Sequence, residues 1–177
     1  MTSLKSHESW IWMPHAGHLC VGHMCRFHLN TYVNGHIVST VGEYWPDAEV
    51  RRMFVEHRGT FPRLYFDEVG KLVEKTPMTN EECQKLLKLK GDYFDDAYMK
   101  IFGYEDLGLN RKYETMVFPA EESENKCCLF AGSGEALELS GYNDPVEALQ
   151  GHYEMCWQYH NASKLVKKAA EKDTSPK

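Results

Sequence analysis

The stretch "RFHLNTYVNGHIVSTVGEY", Arg26 to Tyr44, decides how the chain folds. Asn34-Gly35 at its centre is the pair best able to hold two successive positive φ angles, as a type I′ turn requires, and β-branched and aromatic residues flank it. A β-hairpin is predicted. Counting outward pairs Val33 with His36, Thr31 with Val38, Leu29 with Thr40 and Phe27 with Gly42 on one mostly apolar face. The other face sets Arg26 opposite Glu43, His28 opposite Val41, Asn30 opposite Ser39 and Tyr32 opposite Ile37. The first face reads as core. The second, through Arg26, His28, Asn30, Ser39 and Glu43, reads as a solvated sheet surface tied by an Arg26 to Glu43 pair. A ligand cleft with His28 as proton carrier is its alternative.

Immediately upstream, "PHAGHLCVGHMCRFH" (14–28) gathers four of the nine histidines and two of the six cysteines. Zinc takes four thiolate or imidazole ligands in a tetrahedron, and a short loop commonly supplies two of them. Cys20 and Cys25 enclose Val21-Gly22-His23-Met24, so a turn at Gly22 would bring both sulfurs together, with His18 and His23 completing a zinc set and His15 in reserve. His152 and Cys156, four apart on a predicted helix, share one face and form a more remote candidate pair. The plainer reading is packing: a buried cysteine serves as a small hydrophobe, and His152 bonds a backbone carbonyl.

Downstream, "AEVRRMFVEHRG" places Val50, Met53, Phe54 and His57 at helical spacing, with Gly59 as the stop. Residues 60–77 fit either a strand with a turn or a loop leading into a helix, and stay open. Thr79 and Glu82 form a capping box for a helix with Cys83, Leu86, Leu87, Phe94, Tyr98 and Ile101 inward and a bend at Gly91. "KYETMVF" (112–118) has strand composition and should end at Pro119, and a short strand is expected at Leu137 to Leu139. Asp144-Pro145-Val146-Glu147 opens a last helix through Leu149, Tyr153, Cys156 and Trp157. The sum is an α+β fold: one domain over 1–172 with a frayed tail at 173–177, an antiparallel sheet built on the 26–43 hairpin and the 112–118 strand, and amphipathic helices on one face.

The 177 residues suffice for one proper core, which needs no disulfide staples, so free thiols are expected. A net charge of −6 argues against a nucleic-acid backbone as main partner, because such binding draws on lysine and arginine. A local basic patch from Arg51, Arg52, Arg58, Arg63 and the C-terminal lysines is the third functional reading. No apolar run approaches the ~20 residues of a membrane span, and the N-terminus has no signal-peptide core, which predicts a cytoplasmic protein. No phosphate-loop or nucleophile-elbow context occurs, and Asp92, Asp95 and Asp96 read as a solvated helix face rather than a magnesium site.

The runs "MPHAGH", "CRFHLNTYVNGHIVSTVGEYWPD", "KYETMVFPA" and "GYNDPVEALQGHYEMC" together resemble a group of small, uncharacterised proteins encoded by bacteriophages and prophages. The resemblance covers about half the chain and implies a phage origin and a host-cytoplasm setting, without an activity. Some members of that group space several cysteines after the "ETMVF" strand, where this chain has only the adjacent Cys127-Cys128. The leading expectation is a non-enzymatic accessory module that binds a host or phage protein, with zinc as a stabiliser and Trp10 and Trp12 fitting interface anchors and core packing equally. The alternative is a small metal- or histidine-dependent enzyme built on Cys20, Cys25 and the neighbouring histidines. Oligomeric state is not readable from the sequence.

Overall fold

The computed structural model describes residues 10–14, 21–58, 63–66, 72–75, 78–107, 110–122, 129–132 and 134–173. The hairpin is its centre. Strand β2 (Cys25–Val33) pairs antiparallel with β3 (His36–Tyr44) in the register the turn dictates, Val33 with His36 through Phe27 with Gly42. Asn34 and Gly35 have φ of 48° and 84°, both in the left-handed region where Asn and Gly are tolerated best.

Around the hairpin, β1 (Ile11–Trp12) adds to the β2 edge and β6 (Tyr113–Glu122) to the β3 edge. The far edge of β6 takes β8 (Glu138–Tyr142) along Tyr113–Val117 and β7 (Leu129–Ala131) along Ala120–Glu122. The resulting curled antiparallel sheet with helices is the expected α+β architecture.

Strand β6 does not stop at Pro119. The Gly132 amide donates to the Pro119 carbonyl at 2.8 Å, so the proline forgoes only the donor half of that pair and the strand runs on. Within 60–77, Arg63–Phe66 (β4) and Leu72–Lys75 (β5) form a separate antiparallel pair.

Helix α4 (Pro145–Asp173) lies across the sheet face of Thr31, Val38, Thr40 and Val117. Val33, Val38, Val117, Met155 and Cys156 form the core there, with Trp10 and Tyr159 packed at its margin. The Asp144 carboxylate accepts from the Val146 and Glu147 amides at 2.8 and 3.2 Å, capping the helix as expected. Residues 174–177, most of the expected tail, lie outside the described residues.

The other helices assemble around a core of their own. Helices α1 (Ala48–Arg58), α2 (Asn80–Leu87) and α3 (Asp92–Phe102) enclose Val55, Cys83, Leu86, Phe94 and Tyr98. The Thr79–Glu82 capping box starts α2. Gly91, at φ 53° and ψ −137°, breaks what reads as one bent helix into α2 and α3.

The inward face of α1 corrects the sequence reading. Met53 and His57 stand in solvent, whereas Arg51, Val55 and Arg58 point inward. Guanidinium planes lying on aromatic rings explain it: Arg51 sits 3.9 Å from the Trp45 ring centre and Arg58 3.7 Å from that of Phe102. Arg51 also donates to the Pro46 carbonyl and Asp95, Arg58 donates to Glu105, and Tyr98 donates to the same carboxylate. A period-3.6 count of apolar residues overlooks arginines that enter a core with their partners.

Candidate functional site

Helix α4 has two apolar sides. Ala148, Gly151, His152, Met155 and Cys156 meet the sheet. Leu149, Tyr153 and Trp157, which the sequence groups with Cys156, face out instead. Small residues decide between the stripes: a Cβ on Gly151 would sit 2.0 Å from the Tyr142 hydroxyl, so this side of the helix can approach β8 closely only because the glycine is there.

On the inner side His152 is fully buried and both ring nitrogens are engaged. Its Nε2 lies 2.9 Å from Thr31 Oγ1 and its Nδ1 2.8 Å from Thr40 Oγ1, while Thr40 Oγ1 is 2.7 Å from Thr115 Oγ1. A neutral imidazole has one N–H and one lone pair, and hydroxyls can serve either, so the hydrogen bonds are satisfied with an uncharged ring, and burial is what disfavours the charged one. Burial accordingly pushes the His152 pKa down to about 4. Burial also pushes the Cys156 thiol up to about 12, against the smaller lowering effect of its hydrogen bond with Thr31. Trp12 stacks over His152 at 6.0 Å and closes the group from above. His152 and Cys156 share a face, as their spacing requires, yet that face pins helix to sheet through side-chain hydroxyls rather than a backbone carbonyl.

The leader candidates are only partly visible. Cys20 and His18 lie outside the described residues, as do His15 and the Cys127-Cys128 pair. His23 is exposed on a 3-10 turn (Gly22–Met24), the turn expected at Gly22. Cys25 is buried at the start of β2, where burial first, and the Glu114 carboxylate beyond it, hold its thiol up at about 11 despite a backbone hydrogen bond from Gly42. Among the described residues no three His, Cys, Asp or Glu side chains converge as a metal ion would need.

The hairpin face of Arg26, His28, Asn30, Ser39 and Glu43 is neither a solvated surface throughout nor one site. Arg26 and His28 are exposed, but Asn30 and Ser39 are buried together with Ile37 and Val41. Asn30 donates to Met13 Sδ at 3.7 Å. Glu43 leaves the face altogether. Its φ of 54° turns the side chain to the Tyr113 hydroxyl, which donates to it at 3.3 Å, and Arg26 stacks instead on Trp45 at 5.2 Å. The expected Arg26 to Glu43 pair is thus replaced by two aromatic contacts.

The basic patch is likewise dispersed. Arg51 and Arg58 are buried with Asp95 and Glu105, and Arg52 donates to the Leu87 and Leu89 carbonyls at 2.9 and 2.7 Å, closing the C-terminal end of α2. Three of the four arginines therefore serve the helical core.

The outer side of α4 joins an aromatic cluster in solvent. Trp10 contacts Tyr153 at 6.2 Å and Trp157 at 5.1 Å, and Trp12 contacts Tyr153 at 5.9 Å, so β1 and α4 present one continuous cluster. Trp12 is 52% exposed and Trp157 55%, and Leu149 and Val146 extend the cluster along the helix. Aromatic side chains present roughly 150–250 Å² each, so the cluster leaves on the order of 500 Å² of apolar surface in water. That is the upper end of what an ordinary monomer exposes. The sequence offers Trp10 and Trp12 as interface anchors or core residues alike; Tyr153 and Trp157 escape because they fit a core stripe equally well. Compared with protein-family models, curated proteins and solved structures, the chain finds no match. No helix among the described residues is long and apolar enough to cross a membrane.

Proposed function

We propose that this chain is a phage-type accessory protein that works in the host cytoplasm as a non-enzymatic protein-binding module, its binding face being Trp12, Leu149, Tyr153 and Trp157. The observation that carries the proposal is the aromatic cluster held in water by a rigid support. The helix beneath it is pinned to the sheet through His152, so the rings are displayed in a fixed arrangement at little entropic cost. Exposed tryptophan and tyrosine on such a support are the residue types that dominate binding energy at protein interfaces. The motif resemblance to phage and prophage proteins supports the setting. Zinc held by Cys20, Cys25, His18 and His23 belongs to the same proposal as a stabiliser of the leader, and metal content with chelation and melting reads it.

The test is site-specific photo-crosslinking in the expressing cell from position 149, with and without Tyr153→Ser and Trp157→Ser. The wild-type chain should yield discrete protein adducts that the double substitution removes without lowering the melting temperature. Adducts unchanged by the substitution would refute the reading.

A further inference from the structure

We infer that Asn34 is a site of spontaneous covalent modification: its side-chain amide is lost to the Gly35 backbone nitrogen, and the product unfastens helix α4 from the hairpin turn. Of the chain's asparagines, Asn34 alone precedes a glycine. Glycine leaves the approach to its own nitrogen open, because it has no Cβ to crowd an incoming carbon. Gly35 is exposed, and nothing beyond its chain neighbours lies within 4 Å of where its Cβ would stand.

The turn also activates that nitrogen. His36 Nδ1 donates to the Asn34 carbonyl at 3.1 Å. This carbonyl and the Gly35 nitrogen belong to one peptide unit, so a donor on the oxygen stabilises the negative charge left when the nitrogen gives up its proton. The imidazole is held in place against the Tyr159 ring, 4.7 Å from centre to centre. The chemistry then needs no reactant but water. The deprotonated Gly35 nitrogen forms a bond to Asn34 Cγ, the Cγ–Nδ2 bond breaks, and Nδ2 leaves as ammonia with a proton from solvent, giving a cyclic imide. Water reopens the ring at either carbonyl. One opening gives aspartate; the other gives isoaspartate, whose main chain runs through the former side chain and gains a methylene.

The amide's role before it is lost sets the consequence. Asn34 Nδ2 donates to the carbonyls of Tyr159 and His160 on α4, at 3.5 and 3.2 Å, and so fastens the turn to the helix. To carry Cγ to the Gly35 nitrogen, the side chain must first release both carbonyls. A carboxylate cannot take them up again, since it has no proton to donate and meets the negative ends of two carbonyl dipoles. The reaction therefore starts from the open state and keeps it open. Aspartate leaves the hairpin intact, because Asp-Gly suits the same turn type as Asn-Gly, whereas the extra methylene of isoaspartate disturbs a two-residue turn as well. Tyr153 and Trp157 ride on α4, so the modification loosens the support of the aromatic cluster whatever that cluster binds.

Peptide mapping by mass spectrometry of the full chain, kept folded in mildly alkaline buffer at physiological temperature, tests the inference. The Asn34 peptide should gain the mass of an amide-to-acid conversion faster than any other asparagine peptide, and should resolve into aspartate and isoaspartate forms. His36→Phe, which keeps a ring on Tyr159 but has no donor, should slow the conversion about fivefold in the folded chain and leave it unchanged in urea. Asn34→Asp, which makes the first product directly, should speed amide hydrogen exchange in the α4 peptide spanning Tyr159 about five- to tenfold while the β2–β3 amides stay protected. An Asn34 peptide that converts no faster than the others, or a His36→Phe chain that keeps the wild-type rate, would overturn the activated site. Unchanged α4 exchange in the Asn34→Asp chain would overturn the unfastening.

Discussion

Replacing His152 by glutamine should flatten the acid limb of the stability curve. In the folded chain burial holds the ring at about 4, below its ordinary 6.5, so the native state binds this proton less readily than the unfolded state does. The stabilisation is therefore complete above pH 6.5, is lost progressively as the pH falls from 6.5 to about 4, and is gone below that. The interval corresponds to about 3 kcal/mol, a large fraction of a small domain's stability. Glutamine does not titrate and retains a donor and an acceptor near Nε2, while the bond to Thr40 is lost, so the variant should start about 1–2 kcal/mol lower at pH 7. Urea unfolding at closely spaced pH values from 7 to 4, followed by tryptophan fluorescence, measures both curves. Carboxylates and the other histidines contribute equally to both proteins, so the difference between the curves isolates His152. It should shrink as the pH falls, reverse sign at about pH 5–6 in the middle of the interval, and favour the variant at its acid end. Parallel curves would show that the ring is not held neutral between Thr31 and Thr40, and the account of how α4 is pinned would fail with it.

Gly42→Ala places a Cβ 2.0 Å from the Tyr113 ring, which Phe27 also contacts edge-on, and should cost about 1–3 kcal/mol in chemical denaturation. The same substitution in a Tyr113→Val background should cost much less. Glu105→Leu leaves the Arg58 guanidinium buried without its carboxylate, for a loss of about 3–5 kcal/mol, whereas adding Arg58→Met should recover most of it. A double variant no more stable than the single would show that the pair is not the source of the loss. Thr40→Val, close in volume, should cost about 1–3 kcal/mol by leaving His152 Nδ1 without its hydroxyl partner, and an unchanged urea midpoint would contradict the network.

The hairpin was legible because a two-residue turn fixes the register by geometry alone, and Asn34-Gly35 admits one turn type. The Thr79–Glu82 capping box and the Asp144 cap were legible for the same reason: Thr79 and Asp144 act on amides two or three residues away. What failed depended on distant partners. Arg51 and Arg58 turn inward on account of Asp95, Glu105 and Phe102, residues tens of positions away. Glu43 leaves its face through one positive φ, which alternation cannot anticipate. For α4 the helix was clear but its rotation was not, since Leu149, Tyr153 and Trp157 form as good a stripe as Ala148, His152 and Met155. Gly151 was the available signal, because a helix lying tight on a strand needs a missing side chain at the crossing. The exposed aromatic face went half unread for that reason.

Strand β6 has a consequence for how the molecule comes into being. Its run "YETMVF" is among the most β-prone in the chain, and both of its edges are occupied, one by β3 and the other by β8 and β7. The protection arrives late, since β7, β8 and α4 all follow β6 in the chain and a nascent polypeptide exposes that edge until its last third has emerged. Ribosome-bound or truncated forms ending near Glu122 should consequently be the sticky species, collecting in the insoluble fraction or on chaperones while the finished chain stays free of both.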